Sequence, residues 1–170
     1  DAWSYSIFYA INSGLIDEFE SVESLYYFDY ALESVDTPTG KRTYTSNFVP
    51  YVWSIRDLDS SNDYQMAEVY YKCGLSELGN SVFKASYMRN FNGLVPGNNT
   101  DKYSTDFATN TSLFFSTLND GLFGVRFYNH GKDVIIKPNL PIRWKTAEYN
   151  CDKLNFKFSK KHNKVEYVIS

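Results

Sequence analysis

Hydrophobic and polar residues alternate along much of this chain. Trp3, Tyr5, Ile7, Tyr9 and Ile11 occupy every second position, the period of a half-buried strand. Tyr26, Phe28, Tyr30 and Leu32 repeat that pattern. Residues 42–56 read as another extended stretch, with Tyr44, Phe48, Tyr51, Trp53 and Ile55, in which Pro50 suits an edge or a bulge. Val82, Lys84, Ser86 and Met88 alternate with Phe83, Ala85, Tyr87 and Arg89. Two stretches are less regular. Leu15, Phe19, Val22 and Tyr26 sit at helical spacing with acids between them, compatible with one short acidic helix. Residues 65–72 suit either a strand or a helical turn.

The second half reads as a meander. Asn119-Asp120-Gly121 separates Ser112–Leu118 from Leu122–Tyr128, a strong hairpin signal. Asn129-His130-Gly131-Lys132 turns the chain into Val134–Lys137, and Pro138 and Pro141 bracket a kink before Ile142–Thr146. Leu154, Phe156 and Phe158 alternate with polar residues, Lys160–Asn163 turns, and Val165, Tyr167 and Ile169 follow. An earlier turn is signalled by Thr37-Pro38-Thr39-Gly40. Together these features predict a mainly β fold of roughly nine to eleven strands, an antiparallel sandwich or barrel with a C-terminal meander. No repeat or linker splits the sequence, so residues 1–170 are expected to form a single β-rich domain.

Composition sharpens this picture. Tyr 15, Phe 13 and Trp 3 make up 18% of the 170 residues, although mean hydropathy is −0.42. So many rings can build a core, which excludes intrinsic disorder. No apolar run approaches the ~20 residues of a transmembrane helix. The formal net charge of −3 argues against nucleic acid as a partner. The charge is unevenly spread: residues 1–36 hold eight acids and no Lys or Arg, whereas residues 132–170 hold nine basic and four acidic residues. Opposite ends of this kind suit cross-strand pairing within one sheet. They equally suit a homo-oligomer that joins the acidic N-terminal segment of one copy to the basic C-terminal segment of the next.

Cys73 and Cys151 fit no zinc or redox spacing and are read as a candidate disulfide. Asn98 and Asn110 begin Asn-x-Ser/Thr sequons, read as glycosylation sites on an exposed loop. The chain starts at Asp1 without Met or a signal-like apolar segment, which fits a processed N-terminus. These features point to a secreted, cell-envelope or viral-surface protein.

One segment has the spacing of a metal loop. Asp57, Asp59, Ser61, Asp63, Gln65 and Glu68 occupy positions 1, 3, 5, 7, 9 and 12 of a twelve-residue stretch, the ligand positions of a calcium loop. Asn62 stands where such loops carry Gly. A polar hairpin tip collects the same residues. His130 and His162 both lie in turn-like sequence, and no nucleophile elbow, zincin motif or phosphate loop is present to support an enzyme. The rings near loops, Tyr64, Tyr103, Phe107 and Tyr149, are the candidate ligand-binding surface. The expected function is a surface β-sandwich that binds a glycan or a protein partner. The alternatives are a small-ligand carrier with a closed barrel, an outer-membrane barrel, and a self-assembling fibre or coat subunit.

Overall fold

A computed structural model describes residues 4–44, 60–92, 108–161 and 164–170. Helices dominate it. The elements are α1 (Ser4–Ser13), α2 (Glu18–Ala31), β1 (Ser34–Thr37), β2 (Gly40–Thr43), α3 (Ser60–Lys72), α4 (Ser76–Asn92), α5 (Ala108–Ser116), β3 (Val125–Tyr128), β4 (Asp133–Ile136), β5 (Thr146–Cys151), β6 (Leu154–Lys161) and β7 (Lys164–Ile169). The described strands form two hairpins and one three-stranded sheet, none of them closed. The expected β-sandwich or barrel is therefore corrected to a helical assembly with small antiparallel sheets. The closed barrel drawn for the carrier and outer-membrane alternatives is not formed by the described strands.

The chain divides into two compact units at Asn139 and Leu140. The first is built around α3. Every side chain from Asn62 to Tyr71 is buried, because α1, α4, α5, β2 and the π-helical turn Thr117–Leu122 all pack against this helix. A helix enclosed on all sides shows no amphipathic stripe, so its mixed sequence concealed it. Several of its polar side chains find partners, although Gln65 Oε1 and the Tyr71 hydroxyl have none among the described residues. Ser4 donates to Asn62 Oδ1, and Asn62 Nδ2 donates to the Thr43 carbonyl at 3.3 Å. Arg42 Nε and Ser86 Oγ donate to Asp63 Oδ2 at 2.8 and 2.6 Å. Lys72 and Ser116 donate to the two oxygens of Glu68.

Part of the aromatic excess packs between helices. Tyr64 of α3 meets Phe83 of α4 and Phe114 of α5, each with ring centroids 5.8 Å away. Phe83 and Phe114 stack on one another at 5.4 Å, and Phe8 of α1 stacks on Phe28 of α2 at 5.9 Å. Phe8, Phe28 and Tyr64, which are buried, each contribute about 1.5–3 kcal/mol of hydrophobic stabilisation. Alternation over 3–11 and 26–32 had suggested strands, yet α1 and α2 bury Phe8 and the set Ser21, Leu25 and Phe28 at helical spacing. The short acidic helix expected near residue 20 is present and longer than anticipated. Asp17 caps it: its carboxylate accepts from Glu20 N at 2.8 Å, and the Glu20 carboxylate accepts from Asp17 N at 3.1 Å. This reciprocal capping box fixes the start of the helix.

Several turns lie where the sequence placed them. Thr37 to Gly40 connects β1 to β2, and residues 129–132 connect β3 to β4. Asn129 and His130 take positive φ of 48° and 57° there. The hairpin expected at Asn119-Asp120-Gly121 does not form; those residues lie in the π-helical turn that continues α5. A Cβ on Gly121 would stand 3.2 Å from both Glu68 Cα and the Tyr71 ring, so the glycine serves close helix packing rather than a hairpin.

The second unit is the sheet β5-β6-β7, antiparallel throughout. Leu154, Phe156 and Phe158 point to its buried side and the intervening residues to solvent. Tyr167 of β7 covers Phe156 and Phe158, with centroids at 5.7 and 5.6 Å. Its strands come only from the basic C-terminal segment, so the acidic N-terminal segment, whose described residues form α1, α2 and the start of β1, does not pair with it in one sheet.

Candidate functional site: a groove in the helical unit

The first unit carries a groove of about 730 Å³, within the usual ~300–1,000 Å³ range of ligand sites. One wall is the end of α1 and the start of α2, contributing Asn12, Asp17 and Glu18. Lys72 and Cys73 enter from the end of α3, and Asp120 from the π-helical turn. The opposite wall is the β3–β4 hairpin, with Arg126, Tyr128 and Ile135, followed by Lys137 and Asn139.

Local structure holds these groups in place. Asn139 donates its side-chain amide to the Gly121 carbonyl at 2.8 Å and its backbone N–H to Leu122 at 2.9 Å. Gly124 has φ of +59°, and a Cβ there would lie 1.8 Å from the Lys137 carbonyl. Only glycine lets the strand enter the hairpin so close to Lys137.

The groove's charges are matched. Among the described residues it is lined by three carboxylates, Asp17, Glu18 and Asp120, and by three cations, Lys72, Arg126 and Lys137. Arg126 lies 3.6 Å from Asp120 and Lys137 lies 3.5 Å from Glu18. Lys72 bridges Glu68 and Asn12, and Asp17 is held by the α2 cap. Burial raises the Asp120 carboxyl above its ordinary range; Arg126 and Lys72 pull it back, and Glu68 adds to the rise. Burial and the nearby Glu18 likewise raise the Cys73 thiol, against the opposing effect of Lys137 and Lys72.

The residues selected from sequence are mostly elsewhere. The segment expected to be a calcium loop is helical from Ser60 onward. A helix points successive side chains around its axis and does not wrap them about one ion. Asp63 and Glu68 already have cationic partners in Arg42 and Lys72, and Gln65 is buried. The Ser61 side chain, Asp57 and Asp59 lie outside the described residues. No group of three or more His, Cys, Asp or Glu that could hold a metal occurs among the described residues. Burial raises the Asp63 carboxyl, while Arg42, Ser86 and the Thr43 N–H oppose that rise.

Tyr64, expected on a binding surface, is instead buried in the interhelical ring cluster. Tyr149 is half-buried on β5 of the second unit. Tyr103, Phe107 and Asn98 lie outside the described residues. Asn110 falls within α5, not in a loop, and its side chain is outside the described residues. Cys73 follows α3 in the first unit and Cys151 ends β5 in the second; both are free thiols, with no disulfide between them. Among the selected residues that are described, Cys73 alone lines the groove.

The groove was hidden because its residues come from four separated stretches, each ordinary in sequence. Only the Asp17-x-x-Glu20 capping box, a readable helix-start signal, could have located one wall. No helix among the described residues is long and apolar enough to cross a membrane. No protein-family model and no curated protein matches this sequence.

Proposed function

We propose that this chain is a carbohydrate-binding protein and that the groove takes a neutral glycan. The observation that carries the reading is that, among the described residues lining the groove, three acids are matched by three bases. A charged ligand would leave one set of these groups without a counter-charge. A sugar hydroxyl both donates and accepts. It can therefore bridge a carboxylate on one side and an ammonium or guanidinium on the other without disturbing the balance. Tyr128 and Ile135, both substantially exposed, supply an apolar strip for the face of a sugar ring, and Asn12 supplies an amide.

The test is a glycan array containing neutral, acidic and amino sugars. Retention of a neutral glycan, with little dependence on salt because no net charge is neutralised, is the expected result. Tyr128→Ala should weaken that retention by about tenfold, the usual effect of losing an aromatic anchor. Retention of charged glycans alone, or an unchanged Tyr128→Ala variant, overturns the reading.

A further inference from the structure

Helix α2 carries two stripes of the same rhythm. Ser21, Leu25, Phe28 and Leu32 recur at intervals of four, three and four, and all are buried. Phe19, Glu23, Tyr26 and Tyr30 repeat those intervals two residues out of step. At about 100° per residue, a two-residue offset places the second stripe on the opposite side of the helix. There Phe19 is 72% exposed, Tyr26 60% and Tyr30 89%. Tyr27, beside the stripe, is also exposed, and none of these residues lines the groove. Single exposed apolar residues are ordinary, but three large rings aligned on one helix face, interrupted by Glu23, mark an interaction surface.

Charge determines what can cover it. Glu23 lies within the stripe and is exposed, and Glu20 is exposed beside it. No Lys or Arg occurs anywhere in residues 1–36. Pairing of α2 with α2 of a second copy would set acids against acids, a like-charge arrangement that costs binding. We propose that this face docks a partner protein through a basic amphipathic helix, whose apolar stripe packs on Phe19, Tyr26 and Tyr30 and whose Lys or Arg residues meet Glu20 and Glu23. The geometry is that of a helix laid along an apolar surface with anchors seven and four residues apart.

The probes are two synthetic amphipathic helices of equal length, one of leucine and lysine and one of leucine and glutamate. Their binding to the whole chain is followed by fluorescence anisotropy. The lysine helix should bind and the glutamate helix should not. Phe19→Ser with Tyr30→Ser should weaken binding by about tenfold or more. Glu23→Lys, which leaves every ring in place and so guards against a folding defect in the double variant, should weaken it as well. Tyr128→Ala should leave peptide binding unchanged, so that failure of the glycan reading is distinguishable from failure of this one. The proposal is overturned if the lysine helix does not bind, if both helices bind equally, or if the variants retain full affinity. It is also overturned if sedimentation shows a dimer of the chain that Phe19→Ser with Tyr30→Ser dissolves, since the face would then belong to a second copy.

Discussion

Tyr71 illustrates how tightly single residues are constrained in the helical unit. Its ring is fully buried against Gly121, yet its hydroxyl has no hydrogen-bond partner among the described residues. A buried, unsatisfied hydroxyl costs about 1–3 kcal/mol. Tyr71→Phe keeps the ring and removes that group, so urea unfolding should show a gain of about 1 kcal/mol with an unchanged slope; a loss would mean that the hydroxyl is satisfied. Cys73 offers a second test at this scale. Burial and Glu18 raise its thiol above the ordinary range, and only the thiolate reacts with alkylating agents. In a Cys151→Ser background, iodoacetamide should modify Cys73 slowly near neutral pH, and the rate should still be rising beyond the pH at which free cysteine levels off. Glu18→Gln should move that profile to lower pH. The folded state holds this proton more tightly than the unfolded chain, so its contribution to stability is complete below the ordinary thiol range. It is lost as pH climbs through the raised value.

At the scale of elements, α3 is the informative case. Its sequence mixes Asp63, Gln65 and Glu68 with Tyr64, Met66, Val69 and Tyr70, a pattern that resembled a calcium loop at one end and an undecided strand at the other. The structure resolves this by enclosing the whole helix and pairing its acids internally. Arg42 and Asp63 are both almost completely buried. Breaking such a pair leaves a charge stranded, at about 3–5 kcal/mol. Arg42→Met should destabilise the chain by roughly that amount in urea unfolding, whereas Arg42→Met combined with Asp63→Leu should recover most of the loss. Equal losses in the single and double variants would show that Asp63 has support enough from Ser86 and Thr43. Helix α2 differs: a short acidic helix was expected there on Leu15, Phe19, Val22 and Tyr26, but Leu15, Phe19 and Tyr26 are exposed, and the face that the helix buries is Ser21, Leu25 and Phe28. The meander strands β6 and β7 were readable, since Leu154, Phe156 and Phe158 face one side only.

For the whole molecule, the aromatic count misled as to fold class. Rings favour strands on statistical grounds, but they also fill the wide gaps between helices, as Tyr64, Phe83 and Phe114 do. The Asp-Gly signal misled for a similar reason: Gly121 is needed for contact with α3, and that requirement is invisible without the partner helix. By itself, the sequence determined what depends on neighbours along the chain. It set the α2 capping box, the turns at residues 37–40 and 129–132, the alternation of β6, and the uneven distribution of charge. Tertiary structure alone decided which apolar runs became helices, which acids received buried cations, and how Asn12, Asp17, Lys72, Asp120, Arg126 and Tyr128 came to line one groove. Local rules act within a few residues, whereas burial and charge pairing depend on groups that only the folded chain brings together.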